Sequence, residues 1–323
     1  LEDRGLLNKI TDEVELDRSV VKLIILAVIG IISVFVFGYF LNLFIIDGQW
    51  NFLLISFLAA LVFLAIFLLE VFFIKASWIV NLVVFLQTLA VLAPFYDHLS
   101  KIVIIVALIS FLLFLSGIYV GRAELDNMLK IKFWRISKKT LPKAITALAL
   151  LSSIFYVEAS SLSQKQFFIS PATFEKSIGF IPIFDFSTPA DKLIRDLAIK
   201  QTEANPQFKL LPESMKNKII EQSVKDLEKQ ISDITGVSLN SQTKTSEVIY
   251  RFLIEKYNQL PENIKPYTPL VMALIIFLII ISLSWPIRLI ATTLAFLIYE
   301  ICLALGFSTI IMEGRSREII ILK

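Results

Sequence analysis

The chain has 323 residues, 56% of them hydrophobic and 18% charged, with a net charge of +3 and a mean hydropathy of +0.76. Soluble domains are typically about 45–50% apolar, so this composition excludes an ordinary soluble enzyme or binding domain. Cys302 is the lone cysteine and His98 the lone histidine, which excludes an intramolecular disulfide and most metal or Ser-His chemistry.

Residues 1–22 are charged and mildly amphipathic, with Leu6, Leu7, Ile10 and Val14 at helical spacing, and read as a cytoplasmic segment on the membrane surface. A membrane region over 23–121 comes next, with spans at Leu23–Ile46, Phe52–Ile74, Trp78–Phe95 and Ile102–Gly121. Each run is apolar enough and long enough for a hydrocarbon core of about 30 Å. Residues 122–143 hold seven Lys/Arg and read as a basic cytoplasmic loop. A fifth span over 144–159 has the pattern of a signal anchor that exports the polar segment after it. The last two spans are Pro269–Trp285 and Leu289–Met312, a hairpin over 269–312 broken at Pro286, and 313–323 is a C-terminal tail.

Residues 160–266 read as a helical extracytoplasmic domain. Thr188-Pro189 resembles a helix start, and Pro212 opens a helix that Gly236 stops. Ser246 caps a third helix. The expected core is Leu193, Leu197, Ile219, Leu227, Ile231, Phe252 and Leu253, with 165–187 extended. Fourteen basic and thirteen acidic residues nearly cancel here, which argues against a nucleic-acid partner. The fold class is therefore all-α: a polytopic helical membrane protein with about seven transmembrane helices and one helical extramembrane domain.

The chemistry-bearing candidates are few. Neither G-x-x-x-x-G-K-[ST] nor H-E-x-x-H occurs, and the expectation is a protein that is not an enzyme and needs no metal or cofactor. Glu300 falls at the centre of the expected seventh span, where an ionised carboxylate is costly. It is expected to be buried, protonated and hydrogen-bonded to a neighbouring span, with Gln87 as partner. Ser33 and Ser110 are the other intramembrane polar candidates and could share its depth. Glu70, five residues before Lys75 and close to the cytoplasmic interface, reads as a snorkelling group or as half of a local ion pair.

Gly117 and Gly121 form a small-residue face suited to close helix packing. Lys130, Lys132, Trp134, Arg135, Lys138 and Lys139 mix cations with an aromatic next to the membrane. They serve as a topology signal or as a site for anionic lipid headgroups.

The exported helical domain, the short last spans and the ending Glu313-Gly-Arg-Ser-Arg-Glu-Ile-Ile-Ile-Leu resemble polytopic membrane proteins of small-genome bacteria. The resemblance implies no activity. Two functions remain: display of the extracytoplasmic domain to a protein partner or envelope assembly, and solute or ion transport through Glu300.

Overall fold

Among the described residues of the computed structural model, six helices are long and apolar enough to cross a membrane. The structure describes residues 20–128, 130–162, 174–175, 189–203, 208, 212–235, 244–313 and 317–322. The amphipathic reading of the first residues, the Thr188 cap and nearly all of 165–187 lie outside them. The chain divides into two compact units, Leu1–Ser163 with Leu270–Lys323, and Gln164–Pro269.

In the first unit, α1 (Val20–Asp47) turns at Gly48 into α2 (Trp50–Phe73), and α3 (Ser77–Leu92) runs on into a 3-10 turn, Ala93–His98. Next come α4 (Lys101–Asp126) and α5 (Phe133–Leu162). Ser100 caps α4 by accepting from the Val103 amide. The second half of α2 is the hub of this unit. Every residue from Phe63 to Ile74 is buried, on all sides of the helix, as befits a helix apolar all round. Phe63, Phe67 and Phe114 pack ring to ring between α2 and α4 at centroid distances of 5.5–5.7 Å. Phe95 and Phe155 stack at 3.8 Å.

The basic segment departs from its reading as a loop. Arg122 lies in α4, and Arg135, Lys138, Lys139 and Lys143 lie in α5, a single helix of 30 residues that begins well before position 144. Phe133, Ile136, Ser137, Thr140 and Leu141 turn inward on one face, while Trp134, Arg135, Lys138 and Lys139 stay exposed on the other. An apolar face every third or fourth residue is enough to carry the helix outward from the membrane-spanning part.

The expected hairpin of spans six and seven is not formed. Residues 268–282 make a helix, α9, of 15 residues. At about 1.5 Å per residue it falls short of a bilayer core, and none of its residues is buried. Leu283 keeps a right-handed helical backbone, and the Leu283 N–H to Ile279 and Ile287 N–H to Leu283 bonds carry the ladder into α10 (Ser284–Ala304). Pro286 does not break the chain, because it sits in the first turn of α10, where an N–H has no helical partner to lose.

A Schellman motif ends α10 early. Gly306 takes φ 68°, its N–H bonds Leu303 at 3.1 Å, and the Phe307 N–H bonds Cys302 at 2.8 Å. Residues beyond it are extended: β1 (Ser308–Glu313) pairs antiparallel with β2 (Arg317–Leu322), with Ser308 opposite Leu322. Isoleucine and threonine favour the pleat, so the tail read after position 313 is partly a hairpin. Lys22 Nζ donates to the Phe307 carbonyl at 2.9 Å and lies over its ring. The start of α1 and the end of α10 therefore share one end of the bundle.

The second unit is helical: α6 (Ala190–Glu203), α7 (Glu213–Thr235) and α8 (Thr245–Asn258), with the 3-10 turn Lys265–Tyr267 after it. Pro212 stands immediately before α7 as the sequence indicates, and the Gly236 stop lies outside the described residues. Ser246 is not the cap of α8; it is buried one residue inside, and Lys244 holds the cap position without a side-chain bond. Pro189 bridges Lys244, and Lys244 pairs with Glu175 at 2.5 Å. The core is Ala190, Ile194, Ala198, Phe208, Phe174 and Val248. Leu193, Leu227, Ile231, Phe252 and Leu253 are half-buried, and Ile219 is 39% exposed, contrary to its place in the expected core. Small residues on α6 let the helices close there, leaving the outer part of α7 uncovered. The Leu197 side chain is outside the described set.

Candidate functional site

The membrane unit carries a completely buried carboxyl, and it is Glu70 rather than Glu300. Gln87 of α3 donates its Nε2–H to Glu70 Oε1 at 2.6 Å, and both side chains have no exposure to solvent. Gly30 of α1 closes the pair. A Cβ at that position would stand 2.8 Å from Gln87 Nε2 and 2.9 Å from Glu70 Oε1. A glycine inside a helix costs about 1 kcal/mol relative to alanine. Here it leaves just the width of a carboxyl-amide hydrogen bond.

Depth is set by the same contacts. Gly30 lies ten residues into α1 and Gln87 ten into α3. At 1.5 Å per residue each is about 15 Å from the end of its helix, close to half a hydrocarbon core. Glu70 has their depth although it is three residues from the end of α2. The difference arises because α2 stops inside the bundle, and Ile74-Lys75-Ala76 covers the remaining distance in extended form. Helical counting from Lys75 therefore mistakes a deep residue for an interfacial one.

Arg122 of α4 closes this extended link by donating to the carbonyls of Ile74 and Lys75. The last carbonyls of a helix have no amide of their own helix to accept from, and Arg122 brings donors to that point. Glu70 Oε2, Gln87 Oε1 and Arg122 Nε are buried and take no hydrogen bond among the described residues. The site thus holds two acceptors and one donor beyond the bonds that fix it.

The other intramembrane candidates do not join this pair. Ser33 Oγ bonds its own helix at Ile29, 2.7 Å, and Ser110 Oγ reaches the Ala147 carbonyl of α5 at 3.3 Å, so it serves the α4–α5 seam. Glu300 is exposed and makes no hydrogen bond to Gln87, whose amide is occupied by Glu70. With α10 ending at Ala304, Glu300 is one turn from the helix end instead of mid-span. A carboxyl there reaches polar surroundings without needing an intramembrane partner.

Gly117 and Gly121 do what their spacing suggests, and the partner is in the same chain. A Cβ on Gly117 would come within 3.2 Å of the Thr140 carbonyl, and one on Gly121 would run into Thr140 Oγ1 and Val71. Beside this seam, Ser137 and Thr292 join hydroxyl to hydroxyl between α5 and α10, and Lys143 Nζ donates to Ser116 Oγ at 2.5 Å. Gly30 and Gly38 were not singled out from the sequence. Gly38 brings α1 against the Val91 carbonyl of α3, 2.8 Å from where its Cβ would be. The available signal was two glycines in the interior of an otherwise strongly apolar helix, which calls for a packing reason.

Of the headgroup candidates, Lys130, Lys132, Trp134, Arg135, Lys138 and Lys139 are all exposed at the start of α5 or just before it. Arg135 Nε pairs with Glu124 of α4. Comparison with protein-family models, curated proteins and solved structures gives no match.

Proposed function

We propose that the chain is a non-enzymatic multi-pass protein of the cell membrane that displays residues 164–269 on the extracytoplasmic side for a protein partner. The N-terminus is cytoplasmic. The observation that carries this reading is α5. It starts among the basic residues, beside Glu124, and its Glu158 accepts from Ser100 at the opposite end of α4, 2.7 Å away. One helix thus leads from the basic end to the other, where Lys101 begins α4. An excess of Lys/Arg marks the cytoplasmic end, so the chain that leaves α5 does so on the far side.

Partner binding rests on α7, whose Met215 and Ile219 are 55% and 39% exposed. They stand one turn apart at helical i, i+4 spacing, the geometry of a helix face that docks against another protein. A photo-crosslinking residue at 215 or 219 in intact cells should give one discrete adduct. Met215→Glu with Ile219→Glu should abolish partner recovery while the level of inserted protein stays the same. A uniform smear, or recovery unchanged by the double substitution, contradicts this reading.

A second reading, ion-coupled transport, is favoured by the buried Glu70–Gln87 pair in place of Glu300. It requires that Glu70→Gln abolish a pH-driven flux in reconstituted vesicles with the fold intact. The display reading expects no such flux from the unmodified chain.

A further inference from the structure

The first turns of α5 have more chain than the bilayer core needs. Thirty residues at 1.5 Å give about 45 Å, against a hydrocarbon core of about 30 Å. The surplus is on the order of ten residues. The apolar stretch from Ala144 onward takes the core, so residues 133–142 fall at headgroup depth. On that stretch Trp134 and Lys138 form one exposed column at i, i+4, and Arg135 and Lys139 form the next. Lys130 and Lys132 are exposed immediately ahead of them. The inner face is buried in the bundle through Ile136, Thr140 and Leu141, so the orientation of the cationic face is fixed.

We infer that this face binds the phosphate of an anionic phospholipid in the leaflet at the basic end of the bundle. Charge complementarity carries the inference. Among the described residues, Lys130, Lys132, Lys138 and Lys139 make no ion pair with the protein. Arg135 pairs with Glu124 but keeps a side chain that is 59% exposed, and a guanidinium edge suits two phosphate oxygens. Trp134 is 42% exposed and of the type that settles at the membrane–water boundary. The inference needs the bundle to lie in a membrane and does not depend on which side the second unit occupies.

The test is a thermal-unfolding titration of the full chain in neutral detergent micelles, where membrane orientation plays no part. Short-chain phosphatidylglycerol should raise Tm saturably and in a salt-sensitive way. Phosphatidylcholine and inorganic phosphate should not. K138Q/K139Q should weaken the phosphatidylglycerol effect roughly thirty-fold, at about 1 kcal/mol per cation. K138R/K139R should retain it, and K225Q/K229Q, which removes two exposed lysines of α7, should leave it unchanged. If K138Q/K139Q does not give folded protein, K138Q and K139Q singly should each weaken binding about fivefold. An equal effect from phosphatidylcholine overturns the inference. So does an equal effect from inorganic phosphate, which would make the face a free-anion site. Equal behaviour of the α5 and α7 variants overturns it as well, since it would reduce the effect to overall charge.

Discussion

Gly30, Glu70 and Gln87 come from three different helices and fit only as a set. Glu70→Gln keeps a carbonyl acceptor at nearly the same volume and should change stability little. Glu70→Ala removes the acceptor, leaves the Gln87 amide buried without its partner and opens a small void. The expected cost is about 1–3 kcal/mol. Gly30→Ala drives a methyl into the hydrogen-bonded pair and should cost about 1–3 kcal/mol through overpacking. The two alanine variants should not add, because removing the Glu70 carboxyl makes room for the methyl. Thermal unfolding of the four proteins in the cycle measures the coupling. Additive values would mean that Gly30 and Glu70 do not meet.

At the scale of elements, the turns and stops decide which residue is deep. Gly306 has nothing within 4 Å of an added Cβ, so only its positive φ requires glycine. Gly306→Val should therefore destabilise the end of α10 by about 1 kcal/mol or more without any clash. Faster amide exchange at Leu305–Phe307 would report it; unchanged exchange would mean that the Schellman motif is not needed. In the α4–α5 seam, Gly121→Val should be far more damaging, because its methyls meet Thr140 and Val71 on two different helices.

Much of the element structure was legible. The apolar runs mark α1 to α5, Pro212 marks the start of α7, and Gly117 with Gly121 marks a close seam. What failed did so for identifiable reasons. Hydropathy carried the last span to Met312, since isoleucines suit a strand as well as a membrane helix, and Gly306 was passed over as a stop. That displaced Glu300 to a false midpoint. Glu70 was misjudged because depth was counted along a helix, while Ile74–Ala76 is extended. Ile219 was placed in a core because amphipathic spacing identifies a face without saying whether anything covers it.

At the scale of the whole molecule, six helices among the described residues, rather than the expected seven, are long and apolar enough to cross a membrane. The start of α1 and the end of α10 meet through Lys22 and Phe307, so these two helix ends belong to one end of the bundle. An odd number of spans would separate them. The same arrangement gives the basic end Lys22, Lys75, Arg122, Arg135, Lys138 and Lys139, and it leads α5 away from them before residues 164–269 begin. The most direct test is cysteine labelling by an impermeant reagent in sealed vesicles of known orientation, with Cys302 replaced by alanine. Single cysteines would be placed at Lys139, Lys225 and Glu318. The expected result is that 139 and 318 react from the cytoplasmic face and 225 from the opposite face. Labelling of 318 together with 225 would restore a seventh span, and labelling of 225 together with 139 would mean that α5 does not cross; either contradicts the account.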